Sequence, residues 1–468
     1  MGVLFQVICT GIICTMGINM GLIFAWPAST ITMFGTTNTT LNRPMTETEI
    51  SLFGSLSSVG ALFSTLGAGF MLDKFGRKKC SIFTALSLVI FWAILACSRI
   101  VEVVLTSVFI SGISSSIFLV ASVYISEICQ DSIRGAMTAS NIVSYGFGML
   151  LSYGLGGYLA YDTMLYVGLT LTVAGTVILF VMKDSPIWLM QSGKEKEAAE
   201  AIAFFRRLKP NDKEVMEEIS AIKRSLNPEL DDSTPEAEKL KPNSQPEKKS
   251  FWQFMKKSAS TRRAFLVNIV VVTAAVFQGL VVVQIYVEPL FKEAMPNAST
   301  TLCIVLMAAV GVVAGIAAAF LTDVAGRRPL MIHASLGAGV SCIVLGTQLQ
   351  FHWGPSWITA VFLYVFPITY TFGAGTVPFV LLAELFLPEV KSIISMLLVE
   401  WTWLCNFIIL FIFNPLLNAL GWGPVFYIFA ACCFLTSVFC FFFLPETKGL
   451  TVEEIQPLFA KRKHRSNC

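Results

Sequence analysis

Charged residues are scarce in this chain. Asp, Glu, Lys and Arg make up 13% of its 468 residues, whereas 55% of the residues are hydrophobic. A soluble domain carries about 25% charged residues, so this chain has about half the charge that a water-exposed surface needs. The composition therefore excludes a soluble globular enzyme and a disordered protein. The net charge of +3 is too small to provide the basic surface that binds nucleic acid.

Sequence patterns that bind metals or nucleotides are absent as well. The three histidines are isolated, and the twelve cysteines form no Cys-x-x-Cys pattern, so the sequence predicts no metal site. No Walker A sequence occurs, which excludes nucleotide-driven chemistry within this chain. No nucleophile stands in a pattern with a base. The sequence therefore predicts neither a cofactor nor an enzymatic activity.

Long stretches without charged residues divide the chain into membrane crossings. A charge facing lipid costs several kcal/mol, so uncharged stretches of about 20 residues indicate transmembrane helices. Each half of the chain contains six such stretches, of which the eleventh contains one acid, Glu400, and this predicts an all-α membrane protein with twelve crossings. The predicted spans lie within residues 1–34, 50–72, 80–98, 103–126, 135–161, 163–182, 264–287, 294–322, 329–383 (two spans), 391–413 and 422–444.

Positive charges fall almost entirely on one side of the predicted membrane. Every Lys and Arg except Arg43, Arg99 and Lys292 lies in the loops or tail of that side. The positive-inside rule makes this side cytoplasmic, which predicts a multi-pass protein with both termini in the cytoplasm. The Asn-x-Ser/Thr sites at Asn38 and Asn297 then lie outside, where N-glycosylation occurs.

The crossings divide the chain into four parts. Two six-helix bundles, 1–182 and 263–444, are separated by a cytoplasmic loop at 183–262 and followed by a cytoplasmic tail at 445–468. Apolar residues at helical spacing predict short helices within 194–226. The segment 228–250 is rich in Pro, Glu and Lys, a composition typical of a mobile linker.

A charged motif recurs in the two halves. Residues 73–78 (DKFGRK) follow span 2, and residues 323–328 (DVAGRR) follow span 8. A second match, after spans 4 and 10, is an acid followed seven residues later by a base. Two matches in register indicate a parallel repeat of six helices, with the substrate site at the interface near the middle of the membrane. The acid–base matches are Glu127 with Arg134 and Glu384 with Lys391.

The repeated charges predict a cytoplasmic gate. Residues of one half are expected to pair with their counterparts in the other half when the two halves close. Exposed ion pairs contribute about 0–1 kcal/mol each, so a cluster of them biases a two-state equilibrium and still breaks in every cycle. We therefore expect alanine at Arg77 or Glu127 to slow transport while folding stays largely intact. The predicted gate residues are Asp73, Arg77, Lys78, Glu127, Arg134, Asp323, Arg327, Arg328, Glu384, Lys391 and Glu446.

These motifs, together with two more, resemble those of a known family. Residues 445–449 read Pro-Glu-Thr-Lys-Gly, and residues 124–134 follow the pattern Y-x-S-E-x6-R. In these features the chain resembles the sugar porters of the major facilitator superfamily, and residues 21–27 resemble their arthropod branch of facilitated trehalose transporters. The resemblance implies the major facilitator fold with two six-helix pseudo-repeats. It also implies a plasma-membrane carrier that moves glucose- or trehalose-class sugars by alternating access.

The chain departs from the family at the positions that usually bind sugar. Span 7 of the family carries amides there, whereas this chain has Ala275, Val276 and Val281. A sugar site needs amides for the hydroxyls and an aromatic ring for the C–H face, although buried amides also serve to join helices. Gly373, Gly375 and Pro378 are expected to loosen span 10. The candidate sugar-binding residues are Gln278, Gln284, Asn141, Phe379, Trp403, Thr402, Asn406 and Trp26.

Titratable groups within the spans indicate how transport is driven. A proton symporter requires an acid that faces the cavity, and span 1 has none, where coupled relatives usually carry Asp. The sequence therefore predicts a uniporter of a small neutral sugar in the lipid bilayer, without a nucleic acid or nucleotide partner. Two alternatives remain open: a proton-coupled carrier that uses Glu400 in span 11, and a membrane sugar sensor that no longer transports.

Overall fold

Long α-helices make up nearly all of the computed structural model, which describes residues 2–226, 258–386, 388–450 and 452–460. The linker predicted at 228–250 lies outside these residues. Helix α2 begins with a capping box, because the Thr46 side chain accepts from the Glu49 amide while the Glu49 carboxylate accepts from the Thr46 amide. The helices of the N-terminal half are α1 (Gly2–Phe34), α2 (Glu47–Phe75), α3 (Arg77–Cys97), α4 (Val101–Ile113), α5 (Ile117–Ile128), α6 (Asp131–Tyr158) and α7 (Tyr161–Leu179).

Three shorter helices separate the two halves: α8 (Pro186–Gln191), α9 (Glu195–Arg206) and α10 (Lys213–Leu226). Arg206 joins two of them to the bundle, because its guanidinium pairs with Glu218 at 2.7 Å and donates to the Ile128 carbonyl at 2.8 Å. The remaining helices are α11 (Ala259–Phe277), α12 (Leu280–Ile285), α13 (Val287–Ala294), α14 (Thr300–Ala325), α15 (Arg327–Phe351), α16 (Ser356–Phe372), α17 (Val377–Glu384), α18 (Pro388–Leu420), α19 (Trp422–Phe443) and α20 (Val452–Ala460).

Twelve crossings arranged as two repeats of six form this all-α membrane fold. Among the described residues, eleven helical segments are long and apolar enough to cross a membrane by themselves. Helix α6 is the remaining crossing, and it is less apolar because its small and polar residues pack along α1. A Cβ on Gly148 of α6 would lie 2.0 Å from the Ile18 carbonyl oxygen of α1. Such small residues let membrane helices approach closely.

Three of the described crossings are interrupted near their middle. Crossing 4 contains a 3-10 turn at Ser114–Ser116, and crossing 7 breaks at Gly279, whose φ of +91° is left-handed. Crossing 10 breaks between Phe372 and Val377, the stretch that holds Gly373 and Gly375. Pro378 follows the break in the first turn of α17, where proline is tolerated. Interrupted helices are typical of the substrate-binding region of transporters.

Candidate functional site

Arg77 begins α3 and pairs with Glu127 at the end of α5. Its Nη2 and Nε lie 2.7 Å and 2.8 Å from the two carboxylate oxygens, which is a bidentate arrangement. The side chains are only 7% and 12% exposed. The arginine also donates to the Leu72 carbonyl at 3.2 Å. This ion pair is therefore buried inside the N-terminal half.

A second carboxylate closes the N-terminus of α3. Asp184 accepts from the amides of Arg77 and Lys78 at 2.9 Å and 3.2 Å, and an acid at this position is favoured by the helix dipole. Gly76 supplies the sharp turn with φ of +89°, and a Cβ there would lie 2.6 Å from the Asp184 carboxylate. Trp188 donates to the Asp73 carbonyl at 2.8 Å and covers the same turn.

The C-terminal half repeats the same cluster. Arg327 pairs with Glu384 at 2.7 Å, and Glu446 accepts from the amides of Arg327 and Arg328 at 3.0 Å and 3.1 Å. Gly326 has the same φ of +89° as Gly76. The two clusters lie at one end of the molecule because both follow an even-numbered crossing. We call this end the basic end and the other the opposite end.

The geometry of these clusters corrects the expectation that the ion pairs are exposed, while pairing between the halves when the basic end closes stays a prediction. Arg77 and Arg327 each pair within their own half in this structure, because the turn after an even-numbered crossing sets the arginine against the end of the crossing that carries the glutamate. Removing one partner of a buried ion pair costs about 3–5 kcal/mol, not the small amount of an exposed pair. Alanine at Arg77 or Glu127 is therefore expected to weaken folding as well as transport.

The other predicted gate residues surround the clusters. Lys78 donates to the Phe180 carbonyl at 2.8 Å, and Arg328 donates to the Phe441 carbonyl at 2.6 Å, so equivalent bases cap the ends of α7 and α19. The remaining four lie on helices at the basic end: Asp73 on α2, Arg134 on α6, Asp323 on α14 and Lys391 on α18.

Asp184 and Trp188 are the members of the cluster that sequence reasoning missed. The signal that could have found Asp184 is the internal repeat, since Asp184-Ser185 follows crossing 6 as Glu446-Thr447 follows crossing 12. Trp188 has no such signal, because its role depends on where α8 packs.

At the opposite end the two halves are joined directly. Asn414 of α18 donates to the Glu47 carbonyl of α2 at 3.2 Å, and Tyr153 of α6 donates to the Gln284 carbonyl of α12 at 3.0 Å. Helix α12, which follows the break at Gly279, packs against both α1 and α18. The contacts close this end of the interface between the halves.

Two ion pairs of one arginine stabilise the loop at the opposite end. Arg43 lies 2.6 Å from Glu49 of α2 and 2.7 Å from Glu102 of α4, so it links the starts of two crossings. Its hydrogen bonds to Glu49 and then to Glu102 raise the pKa of the Arg43 guanidinium above its usual value. Asn38, in the same loop, and Asn297 are both exposed.

Two of the predicted sugar-binding amides point into their own half. Gln278 is fully buried, and its Nε2 donates to the Ser335 hydroxyl of α15 at 3.3 Å. Asn141 is 1% exposed and faces α1, where a Cβ on Gly17 would lie 2.9 Å from its Oδ1. Gln278 therefore joins two helices of one half, whereas Asn141 packs against α1 and neither its Oδ1 nor its Nδ2 has a hydrogen-bond partner among the described residues.

Trp26 also lies in the interior of its half. Its ring is fully buried and makes edge-to-face contacts with Phe34, Phe53, Phe91 and Trp92. The cavity of about 20 Å³ beside it is apolar and large enough for about one water molecule. The structure thus places Trp26 in an aromatic core and not in a pocket of sugar size.

The remaining candidates lie on the interrupted crossings and on α18. Phe379 of α17 is exposed, while Gln284 of α12 and Trp403 of α18 are half-buried. The Thr402 hydroxyl donates to the Leu398 carbonyl at 2.8 Å within its own helix. Asn406 is buried, and its Oδ1 has no hydrogen-bond partner among the described residues. Helix α12, which carries Gln284, packs against α18, the helix that carries Trp403 and Asn406.

Glu400 lies in the middle of α18, which packs against α2 of the other half. Both carboxylate oxygens are buried, and neither makes a hydrogen bond within the part of the chain that the structure describes. Thr65 of α2 lies beside this carboxylate, but its hydroxyl donates to the Ala61 carbonyl at 2.6 Å. Glu400 is therefore an acid between the two halves that has no ion-pair partner among the described residues.

Comparisons with known proteins agree with this architecture. A family model described as "Sugar (and other) transporter" matches residues 4–459. The facilitated trehalose transporter Tret1 of Drosophila mojavensis is 23% identical over 97% of this chain, and the match spans 52% of that protein. Tret1 of Polypedilum vanderplanki is 24% identical, and the match covers 97% of this chain and 89% of that protein. The chain therefore spans about half the length of the first of these relatives.

Solved structures show the same fold. The inward-open xylose transporter XylE of E. coli superposes with a TM-score of 0.76, at 19% identity, over 97% of this chain and 99% of that chain. At this identity the likeness establishes the arrangement of the helices.

Proposed function

The chain belongs to the sugar transporter family, and from this premise we propose that it carries a small neutral sugar across the plasma membrane by facilitated diffusion. Members of this family are membrane transporters and not enzymes, as are the relatives and structural neighbours of the chain. The proposed cycle is alternating access, in which the halves 1–182 and 263–444 tilt about a central site.

One observation carries this proposal. The two halves bear the same buried ion-pair cluster at the basic end, while direct hydrogen bonds join the halves at the opposite end. Each cluster holds its own half together as a rigid unit. Two rigid halves joined at one end can exchange which end is closed, and this is the motion that transport requires.

The proposed substrate class is glucose or trehalose. Two of the relatives are named facilitated trehalose transporters. The residues proposed to contact the sugar are Gln284 and Asn406, which offer amides, and Phe379 and Trp403, which offer aromatic rings. This set is smaller than the set predicted from the sequence. The Gln278 amide and the Thr402 hydroxyl donate hydrogen bonds within their own half, and Asn141 and Trp26 pack against residues of theirs.

The proposed orientation places the basic end in the cytoplasm. Nearly all of the Lys and Arg residues belong to that side. Both termini are then cytoplasmic, and Asn38 and Asn297 are exposed at the outer surface, where they are proposed to be glycosylated.

Uptake of a panel of labelled sugars tests the proposed function. Glucose, trehalose, fructose and polyols would be offered to transporter-deficient cells with surface expression controlled. We expect saturable uptake of glucose or trehalose that stops at equal concentrations on the two sides. Absence of uptake for every sugar, at normal surface expression, would contradict the proposal and favour the sensor alternative.

A proton-coupled carrier is the second candidate, and Glu400 is the observation that favours it. An intramembrane acid without a partner is costly and commonly marks a proton pathway. The helices against α18 carry few charges near it. Measured along the axis of α2, Asp73 and Lys74 lie about 12 Å or more from Thr65, and Glu49 lies about 24 Å from it.

The other neighbours of α18 are equally poor in charge. On α11, Arg262 and Arg263 lie about 15 Å or more from Thr273, the residue that accepts a hydrogen bond from Trp401 beside Glu400. On α18 itself, Lys391 is about 13 Å away along the helix, and α12 and α19 contain no charged residue.

Glu400→Gln distinguishes the two candidates. If a proton travels with the sugar, lowering the external pH from about 7.5 to about 5.5 raises uptake several-fold. The glutamine variant is then expected to lose this pH dependence. The matched control is Glu288→Gln, because Glu288 is paired with Lys292 at 2.6 Å. An uptake rate that is independent of pH in the parent protein would contradict the proton-coupled carrier and favour the uniporter.

A further inference from the structure

A groove runs between α2 and α3 on the outside of the N-terminal half. It encloses a cavity of about 220 Å³, more than the roughly 150 Å³ that holds a benzene molecule in an engineered protein cavity. Phe63 and Phe83 flank its mouth, and Ile113 and Val120 form its floor. Gly67 of α2 faces this space, since a Cβ there would meet no atom within 4 Å.

The groove opens toward lipid. Both helices beside it expose rows of apolar side chains at helical spacing, namely Phe63, Leu66 and Phe70 on α2 and Phe83, Leu86 and Ile90 on α3. A surface of this composition on a membrane helix faces the hydrocarbon of the bilayer.

The hydroxyl groups that line the groove are not free to donate hydrogen bonds to a hydrophilic ligand. The three hydroxyl groups each donate to a carbonyl of their own helical segment: Ser64 to Ala61 at 3.2 Å, Thr84 to Ser81 at 2.9 Å and Ser116 to Ile113 at 3.3 Å. A sugar would lose its hydrogen bonds to water there without replacement. The groove therefore suits a hydrocarbon chain.

Positive charge stands at the basic end of the groove. The turn between α2 and α3 closes it, and Lys74 and Lys79 on either side of this turn are exposed, together with one acid, Asp73. The Lys74 ammonium lies 5.4 Å and 5.5 Å from the ring centres of Phe70 and Phe75, which hold it close to the apolar surface. A base at this depth attracts anionic headgroups.

We propose that this groove binds an anionic phospholipid from the leaflet at the basic end. One acyl chain lies against Gly67 between Phe63 and Phe83, and the phosphate and its acidic headgroup lie beside Lys74. The apolar lining and the cation at its end together match an amphiphile with a negative headgroup.

Lipid retention by the purified full-length protein tests the proposal. The protein would be equilibrated in detergent with phosphatidylserine or phosphatidylcholine of identical acyl chains, and native mass spectrometry would count the bound lipids. The variant Gly67→Leu fills the groove. Its matched control is Gly69→Leu on the same helix, because a Cβ at Gly69 also meets nothing within 4 Å but Gly69 does not line the cavity.

We expect Gly67→Leu to reduce the retention of phosphatidylserine about tenfold, corresponding to about 1.4 kcal/mol, while Gly69→Leu behaves as the parent protein. Lys74→Gln is expected to reduce the preference for phosphatidylserine over phosphatidylcholine and to leave retention of phosphatidylcholine unchanged. Equal retention by the two leucine variants would overturn the groove as the site. An unchanged preference in Lys74→Gln would overturn the assignment of the headgroup. Both readings are independent of whether the protein transports a sugar.

Discussion

The buried arginines at the basic end each have a glutamate of the same half as partner. Glu384 has one additional donor, since the Thr447 hydroxyl donates to it at 2.8 Å. Both glutamates lie at the ends of membrane crossings, and Glu127, at 12% exposure, would have little access to water without its arginine. These two pairs therefore determine how the half-bundles hold together at this end.

Replacing Arg77 by alanine is expected to destabilise the protein by about 3 kcal/mol or more, because Glu127 is left buried without a cation. The double variant Arg77→Ala/Glu127→Ala is expected to be more stable than the single one, since no unpaired charge remains. Thermal unfolding of the purified protein in detergent measures both. A single variant that unfolds at the temperature of the parent protein would contradict the buried pair.

Gly76→Ala is expected to lower the unfolding temperature more than Gly193→Ala. Both glycines have positive φ, +89° and +75°, but Gly76 also has a ψ of 168°, a region that is essentially restricted to glycine, so alanine there adds about 1–3 kcal/mol of backbone strain. At Gly76 the new Cβ also meets the Asp184 carboxylate at 2.6 Å, whereas at Gly193 it meets nothing within 4 Å. Equal shifts in the two variants would show that the Asp184 cap does not constrain this turn.

Among the helices, α2 and α4 approach so closely that glycine is required on both. A Cβ on Gly112 would lie 2.0 Å from the Ser57 carbonyl oxygen, and one on Gly60 would lie 2.1 Å from the Phe109 carbonyl oxygen. Contacts of this kind hold membrane helices together by close packing, since lipid supplies no hydrophobic force between them.

Leucine at Gly112 is expected to separate α2 from α4 and to lower the yield of folded protein, because overpacking costs about 1–3 kcal/mol or more. Gly154→Leu on α6 is the control, as its Cβ meets no atom within 4 Å. Size-exclusion chromatography of the detergent-solubilised protein measures the folded fraction. If both variants elute as the parent protein does, the result contradicts the inference that α2 and α4 are too close to accept a side chain at Gly112.

For the whole molecule, the hydrogen bonds at the opposite end favour the conformation closed there. Removing the Tyr153 hydroxyl deletes a bond between the halves that is worth about 1 kcal/mol, which changes the population ratio about fivefold. Tyr153→Phe is therefore expected to shift the molecule toward opening at that end.

Spin labels at Asn38→Cys and Asn297→Cys, one in each half, would report the distance across the opposite end. We expect Tyr153→Phe to increase the population of long distances. Tyr158→Phe is the matched control, since Tyr158 lies on the same helix with its side chain exposed. Identical distance distributions in the two variants would mean that the Tyr153 bond does not contribute to closure.

Much of the architecture was predictable from local sequence features. The crossings follow from charge-free stretches such as 329–383, and the repeat follows from the DxxGR motifs at residues 73–78 and 323–328. The partner of Arg77 was not predictable in the same way. Glu127 is close to it in space only because α3 and α5 pack together, and sequence separation carries no information about which of several acids a base meets.

The amides illustrate the same limit within the candidate site. Gln278, Asn141 and Gln284 are equivalent in sequence terms, since each is a polar residue in an apolar helix. Their helices turn two of them toward neighbours of the same half and leave Gln284 half-buried on α12. Which face of a helix meets which neighbour depends on the packing of all the crossings together.

The amino-acid sequence by itself determined the membrane environment, the twelve crossings and the twofold repeat, because each depends on hydropathy and motifs that are local along the chain. Only the tertiary structure decided that the arginines are buried within their own halves, that Glu400 lies between the halves without an ion-pair partner among the described residues, and that a groove opens beside Gly67. These features depend on distances between residues far apart in sequence, and such distances arise when helices pack.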